Sequence, residues 1–262
     1  MSLAMCTQIS LAAQEKAASA QRTAVSVPFV GCSSDGPSDL REAPKGTKTP
    51  VSITTKAAQM LASYRSPEGL SVLAPRGWYC LGLYGSGGDS LYVGPQPSGE
   101  SRIGHSGFAG PIIEISNTFG NTSGRFDVAR IIARVFPAYK STAYKLLEGF
   151  DSATSSLAFG PYPKDLLTYK GNRVVEYKTP AQTDGLGTYH SSLKKNSSPI
   201  DGVAMLVGPA PDLVLLSVRL PPELNALTSV IVRQLERDAE GNGRQSQKGR
   251  EAEASRPIHQ KN

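Results

Sequence analysis

The chain has 262 residues, with 28 Lys and Arg against 22 Asp and Glu, a net charge of +6, and 39% hydrophobic residues. That hydrophobic fraction excludes a wholly disordered protein, and three cysteines are too few for a disulfide-rich miniprotein or a four-cysteine zinc site. No apolar run approaches the roughly 18 consecutive residues that a membrane-spanning helix needs, because Ser217 interrupts the strongest cluster, residues 213–218.

The positive charge is spread along the chain. Residues 236–262, for example, carry six basic and five acidic side chains, and the only adjacent basic pair in the chain is Lys194–Lys195. Proteins that bind nucleic acid concentrate Lys and Arg on one face or tail, often beside stacking aromatic residues. The charge pattern therefore argues against a nucleic-acid partner and is typical of a mildly basic surface.

Strand and helix patterns alternate through the middle of the chain. Alternating or continuous apolar runs predict strands over residues 24–30, 70–73, 78–84, 90–93, 111–116, 173–177, 204–208 and 213–220. Between the third and fourth of these, the Gly-rich residues 85–89 are a strong hairpin signal. Apolar residues at helical spacing predict helices over residues 54–64, 125–136 and 139–150, and a C-terminal helix that begins at Pro221–Pro222.

Most connections between these strands are too short for a parallel crossover, which takes about a dozen residues or more. We therefore predict an α+β fold, with a mainly antiparallel sheet and two to four helices packed on it, including a C-terminal helix. This single domain covers residues 23–238. Residues 1–22 and 239–262 bury too little apolar surface to offset the entropy of ordering, so both are predicted to be disordered.

The first residues have features of an export signal. Residues 1–13 are small and apolar, and they lead into Ala-rich sequence with possible cleavage sites near residues 12–20. No basic residue precedes Lys16, so the segment matches only the last part of a signal peptide. We interpret it as a signal-peptide remnant and predict a periplasmic or secreted protein; the alternative is an ordinary terminus of a cytoplasmic protein.

The cysteines fit the first of these compartments. Removal of the N-terminal segment would take Cys6 with it and leave Cys32 and Cys80, each within or beside a predicted strand. We predict a disulfide between them, with two buried free thiols, or a catalytic or metal-binding pair, as the alternatives. Neither cysteine lies in a Cys-x-x-Cys motif or beside a histidine that would activate it.

Motifs for catalysis or cofactor binding are weak. The glycine-rich segment 85–89 lacks the lysine of a phosphate-binding loop, and no cofactor is predicted. The histidines do not have the spacing of a metal site, so none is predicted. A hydrolase site can be written with Ser106 as nucleophile, His190 as base and Asp35 or Asp184 to orient it. His105 is a further candidate, but no local motif supports this combination.

Four aromatic residues cluster around the predicted hairpin. They are Trp78, Tyr79, Tyr84 and Tyr92. Packing in the core or on a sheet face explains such a cluster, and a ligand-binding face is the alternative.

Five segments stand out for a resemblance to known sequences: residues 27–36, 73–80, 123–126, 179–188 and 220–224. They resemble a family of uncharacterised exported proteobacterial proteins with no assigned activity. The resemblance implies export and a shared fold, and it transfers no catalytic residue. More loosely, the Pro75-Arg76-Gly77-Trp78 strand and the two strands that lead into the C-terminal helix resemble the PsbP-like fold.

These observations favour a non-enzymatic exported domain that binds an envelope protein or a small ligand. A hydrolase of unrecognised type is one alternative. A structural or assembly component is the other, and it requires that the helix over residues 125–136 expose apolar residues to a partner.

Overall fold

The computed structural model describes residues 24–97 and 107–239 of the chain. The strands of this part are Val25–Gly31 (β1), Ser34–Asp35 (β2), Lys48–Val51 (β3), Leu61–Arg65 (β4), Ser71–Pro75 (β5), Tyr79–Gly85 (β6), Gly88–Gly94 (β7), Ile112–Thr118 (β8), Leu166–Tyr169 (β9), Val174–Thr179 (β10), Ile200–Val207 (β11) and Asp212–Arg219 (β12). The α-helices are Thr55–Met60 (α1), Arg125–Val135 (α2), Lys140–Leu146 (α3), Asp151–Ser155 (α4), Leu186–Tyr189 (α5) and residues 228–239 (α6). Short 3-10 turns occupy Pro137–Tyr139 and Pro222–Leu227.

The strands form two sheets. The large sheet has the order β2-β6-β7-β8-β12-β11-β10-β9, and the small sheet has the order β3-β1-β4-β5. Most pairings are antiparallel, as in β11 with β12, but β1 pairs with β4 and β2 pairs with β6 in parallel. Both sheets are therefore mixed.

The large sheet is covered on both faces, which explains the apolar character of its central strands. In β12, Leu213 and Leu215 point to the layer that contains α2, whereas Leu216 and Val218 point to the small sheet. A strand buried on both faces is apolar at successive positions, and the run in β12 follows this rule. The molecule thus has three layers, with the large sheet in the middle.

The helical layer is built around α2. Its buried side chains lie at helical spacing and include Val128, Ile132 and Val135, which pack on the large sheet together with α3 and α5. The helix ends at Val135, two residues before Pro137, because proline has no N–H to continue the helical hydrogen bonds. The predicted helix over residues 125–136 is confirmed.

The layer on the opposite face combines the small sheet and α6. Buried residues of β1, β4 and β5 share one apolar cluster with Ile231 and Val232 of α6 and with the facing side chains of the large sheet. The predicted C-terminal helix is confirmed, and it closes the core on this side.

A disulfide joins the two sheets. Cys32 follows β1 of the small sheet, Cys80 lies in β6 of the large sheet, and their Cα atoms are 5.5 Å apart. The predicted Cys32–Cys80 bridge is confirmed. The two cysteines are 48 residues apart in sequence, so the bridge closes a long loop and reduces the conformational freedom of the unfolded chain substantially.

The predicted hairpin at residues 85–89 is also confirmed. Gly85 and Gly88 are paired, and Ser86 and Gly87 form the turn between β6 and β7. Gly88 has φ +152°, and a Cβ there would lie 2.3 Å from the carbonyl oxygen of Asn117. Only glycine fits this position.

The α+β prediction is confirmed, but its details need correction. The described part contains six α-helices, not two to four, because α4 and α5 are too short to produce a helical period in the sequence. The predicted helix over residues 54–64 stops at Met60, and Leu61–Arg65 form β4. Pairing with β1 and β5 on either side outweighs the helical pattern of this segment.

The predictions for the two ends of the chain fall almost wholly outside the described residues. Ala239, the last residue of α6, is the exception, and it packs against the core. None of the helices in residues 24–97 and 107–239 is long and apolar enough to cross a membrane.

Removal of the disulfide tests its contribution to stability. We expect the double variant Cys32→Ser/Cys80→Ser to lose about 3 kcal/mol of unfolding free energy, because the unfolded chain gains the freedom of a long open loop. Urea denaturation measures this loss, and the reduced wild-type protein should behave like the variant. Equal stability of variant and wild type, or two free thiols by mass spectrometry, would contradict the expectation.

Candidate functional site

An open groove lies on the helical side of the molecule. Its volume is about 530 Å³, and α2, the loop before β9, and the segment around α5 supply its walls. The lining residues are Asp127, Arg130, Arg134, Tyr162, Pro163, Asp184, Tyr189 and His190. We call this cavity the His190 groove.

Helical geometry places one wall of the groove. Asp127, Arg130 and Arg134 lie on the side of α2 opposite its buried face, three or four residues apart, so their side chains share one surface. Arg130 Nη1 lies 2.9 Å from Asp127 Oδ1. Both side chains of this ion pair are more than half exposed, so the pair adds little stability and can open for a ligand.

A half-buried carboxylate positions the opposite wall. Asp165 accepts hydrogen bonds from the Leu186 N–H at 2.7 Å and from the Thr179 hydroxyl at 2.7 Å, which fixes the start of α5. A Cβ at Gly185 would lie 2.1 Å from Asp165 Oδ1, so a larger residue there would displace this carboxylate. Burial raises the pKa of Asp165, although these two hydrogen bonds act in the opposite direction.

Aromatic rings and an arginine form a stack at the centre of the groove. The guanidinium of Arg134 lies 4.3 Å from the centre of the Tyr162 ring, and the Tyr189 ring stacks on Tyr162 with centroids 5.2 Å apart. Tyr189 is 59% exposed, so its ring presents an accessible flat surface. The Tyr162 hydroxyl is hydrogen-bonded to His190 Nε2 at 3.0 Å.

The histidine in the groove is neutral at neutral pH. Burial lowers the pKa of His190 to about 4; the charge of Asp127 opposes this shift, and those of Arg130 and Arg134 reinforce it. Burial also raises the pKa of Tyr162, against the influence of Arg134. Neither ring of the Tyr162–His190 pair is charged, so the arginines and aspartates set the charge of the groove.

A buried glutamate lies beneath the segment that follows α5. Glu114 of β8 is only 6% exposed, and its Oε2 accepts a hydrogen bond from the Ser192 N–H at 2.7 Å. The hydroxyls of Tyr92 and Ser192 lie 3.2 Å apart next to it. Burial raises the pKa of Glu114 to about 7, although hydrogen bonds from Ser192 and Tyr92 oppose the shift.

Further buried polar side chains lie beside Glu114 on the same face of the large sheet. Tyr92, Glu114 and Ser217 are directly opposite one another in β7, β8 and β12. The Tyr177 hydroxyl reaches Ser217 Oγ at 2.6 Å by passing over Gly202, where a Cβ would lie 2.6 Å from the tyrosine ring. We call Tyr92, Glu114, Ser217 and Tyr177 the buried polar row.

Arg219 holds the same segment from its other end. Its guanidinium is buried and donates to the carbonyl oxygens of Phe108, Ala109 and Lys194. Burial lowers the pKa of Arg219 to about 10, so it stays charged at neutral pH. Glu114 and Arg219 together fix the chain around residues 192–194, which begins two residues after His190.

The structure describes only some residues of the hypothetical hydrolase site. His105 and Ser106 lie outside the described residues. His190 is in the groove, Asp184 is at its rim in an ion pair with Lys195 at 2.9 Å, and Asp35 is on β2 at one edge of the large sheet. The catalytic combination stays a prediction.

The four predicted aromatic candidates do not share one surface. Tyr79 and Tyr92 point to the helical side of the sheet, and Trp78 and Tyr84 to the other side, since residues alternate along a strand. Tyr92 is buried, Tyr79 is largely exposed, and Trp78 packs partly on the small-sheet core. Tyr84 binds the backbone of Asp39 through its hydroxyl.

The sequence predictions missed most of the groove. Tyr162 and Arg134 belong to no motif, and of the residues that line the groove only His190 and Asp184 are candidates from the sequence. Across residues 24–97 and 107–239, no group of three or more His, Cys, Asp or Glu side chains is arranged to hold a metal ion.

Comparison with known proteins gives no relative. A scan of family models found no match to this chain, and searches of curated proteins and of solved structures found none either. The resemblances to an exported proteobacterial family and to the PsbP-like fold therefore stay predictions.

The opposite pKa shifts of Glu114 and His190 predict opposite effects of pH. The pKa of Glu114 is higher in the folded protein than in the unfolded chain. Its contribution to the free energy of unfolding is therefore present at low pH and is lost as pH rises through about 7. The pKa of His190 is lower in the folded protein, so its contribution is present above the ordinary histidine pKa and is lost as pH falls towards 4. In the wild type the two slopes partly cancel between about pH 4.5 and 6.5.

Substitution of Glu114 separates the two effects. We expect the stability of Glu114→Gln, relative to wild type, to increase by roughly 2 kcal/mol between pH 5 and pH 8, because only the wild type must ionise a buried carboxyl. Urea denaturation at the two pH values measures this difference. The control is Glu176→Gln, which makes the same change at a half-buried strand position. A Glu114→Gln profile parallel to that of wild type would contradict the burial argument.

Proposed function

We propose that this protein is a non-enzymatic exported binding domain of the bacterial envelope, and that the His190 groove binds a small acidic sugar. The observation that carries the proposal is the Arg134–Tyr162–Tyr189 stack in an open groove. An exposed aromatic ring offers a flat apolar surface to a sugar ring, and arginine favours a carboxylate.

The polar groups around the stack suit the same ligand. Asp127 and Asp184 are acceptors for sugar hydroxyls, and both are held only by exposed ion pairs. Arg130 and Arg134 supply positive charge for an anionic substituent. Concave sites with a few convergent polar groups are typical of small-molecule binding.

Export is supported by two independent features. The Cys32–Cys80 disulfide favours an oxidising compartment, since disulfides are rare in reducing cytosol. The N-terminal sequence matches the end of a signal peptide. Fractionation of cells that express the full gene should place the protein outside the cytosol, and recovery in the cytosolic fraction would overturn this part of the proposal.

The alternative function as a structural or assembly component requires an exposed apolar face on α2, which the structure does not have. The apolar face of α2 packs against the large sheet and is not free for a partner. The binding function therefore has the stronger structural basis.

A matched pair of sugars tests the groove. We expect the protein to bind glucuronate more tightly than glucose, because the two differ at the carboxylate that the arginines would contact. Chemical-shift changes of the His190 and Tyr189 rings on titration with each sugar give the affinities.

Two variants separate the roles of the charge and the ring. Arg134→Gln should weaken glucuronate at least fivefold and leave glucose nearly unchanged, whereas Tyr189→Ser should weaken both sugars. Lys56→Gln, on α1 in the other outer layer, is the control for the loss of one positive charge. Equal binding of the two sugars, or no shift at His190 and Tyr189, would contradict the proposed ligand class.

A further inference from the structure

A second surface on the helical layer combines exposed aromatic rings with unpaired cations. It lies on α3 and its neighbours and consists of Tyr139, Lys140, Tyr144, Phe159 and Arg173. We call it the aromatic–basic patch. None of these residues lines the His190 groove.

Side-chain contacts join the residues of the patch into two groups, which meet at the consecutive residues Tyr139 and Lys140. Lys140 and Tyr144 are four residues apart and so lie on the same side of α3. Phe159 contacts both: its ring centre is 4.7 Å from Lys140 Nζ and 5.4 Å from the Tyr144 ring centre. Tyr139, at the start of the helix, accepts a hydrogen bond from Arg173 Nε at 2.7 Å.

Two of the three aromatic rings of the patch are exposed although they contact each other, whereas Tyr139 packs partly against the core. Tyr144 is 42% exposed and Phe159 is 38% exposed. Val207, at the end of β11, adds a further exposed apolar side chain close to Arg173, which donates to the Gly208 carbonyl oxygen at 2.6 Å. Clustered exposed apolar side chains of this kind mark an interaction surface.

The two cations of the patch have only neutral partners. Within the described residues, no carboxylate lies within 4.0 Å of Lys140 or Arg173, whereas Arg130, Lys170, Lys178 and Lys195 each have one. Lys140 lies over a phenylalanine ring, and Arg173 contacts a tyrosine and a backbone carbonyl. Their positive charge is therefore available to an anionic partner.

The surrounding sequence has the same sign of charge. Residues 125–164, which include α2, α3 and α4, carry six basic and three acidic side chains. This segment therefore has a higher ratio of basic to acidic side chains than the whole chain, which has 28 basic and 22 acidic residues. An approaching anionic surface is attracted to this side of the molecule.

We infer that the aromatic–basic patch binds the surface of an anionic lipid bilayer. Aromatic rings lie at the level of the lipid headgroups, and Lys and Arg beside them contact the phosphates. A small soluble anion would satisfy the cations but leave the rings in water. A bilayer covers both at once, so the combination of Lys140 and Arg173 with Tyr144 and Phe159 favours the lipid surface.

Vesicle sedimentation tests the inference directly. The probes are vesicles of phosphatidylcholine alone and vesicles of equal parts phosphatidylcholine and phosphatidylglycerol. We expect the full-length protein to sediment with the anionic vesicles at least tenfold more strongly, and this preference should fall steeply at 0.5 M salt.

Charge-matched variants locate the binding surface. Lys140→Glu/Arg173→Glu should reduce binding to the anionic vesicles at least tenfold, and Tyr144→Ser/Phe159→Ser should reduce it at both low and high salt. Lys48→Glu/Lys56→Glu makes the same charge change on exposed residues of β3 and α1 and should bind much more like wild type. Circular dichroism checks that each variant is folded.

Three results would overturn the inference. They are equal sedimentation with both kinds of vesicle, no sedimentation with either, and equal losses for the patch variant and the Lys48/Lys56 variant. A protein that binds glucuronate normally but not the anionic vesicles would disprove the lipid surface alone and leave the groove proposal intact.

Discussion

The hydrogen bond from the Ser192 N–H to the buried carboxyl of Glu114 is the contact on which the candidate site most depends. A carboxyl group in the core is unfavourable unless donors surround it, and here Ser192 and Tyr92 provide them. The bond ties the segment after α5 to the middle of the large sheet. Tyr189 and His190 immediately precede this segment, so their positions in the groove follow from it.

The layered architecture explains why this contact is possible. The small sheet and α6 cover one face of the large sheet, and α2, α3 and α5 cover the other. The buried polar row lies on the helical face, so its hydroxyl and carboxyl groups are shielded from water. The disulfide acts elsewhere, since it joins the small sheet to β6. The helical face of the large sheet thus supports the groove, and the face that packs on the small sheet carries the disulfide that stabilises the fold.

The sequence predicts those elements whose formation depends on residues close together in the chain. The hairpin at Ser86–Gly87, helix α2 and the C-terminal helix all have short-range signals of turn chemistry or apolar spacing, and the structure contains each of them. The helix prediction for residues 54–64 was wrong because tertiary pairing with β1 and β5, which the local apolar spacing does not reveal, decides where α1 ends and β4 begins. Cysteine number and compartment predict the disulfide, but they carry no information that it joins two sheets.

The candidate site could not be predicted in the same way. Tyr162 and His190 are 28 residues apart in segments without periodicity, and only the fold brings them to hydrogen-bond distance. Glu114 is in a strand whose neighbouring positions are apolar, and no local feature distinguishes a glutamate that faces solvent from one buried beneath a loop. The partners that bury a polar group come from distant parts of the chain, so their identity is a tertiary property.

Amide hydrogen exchange at Ser192 is the most direct measurement of this arrangement. Because Glu114→Met removes the acceptor while it keeps most of the side-chain volume, we expect the Ser192 amide to be protected in wild type and to exchange at least tenfold faster in the variant. The amides of Tyr189 and His190 should lose protection with it, and those of α6 should not change. Unchanged exchange at Ser192, or a uniform increase throughout the protein, would contradict the role of Glu114 as the anchor of the groove.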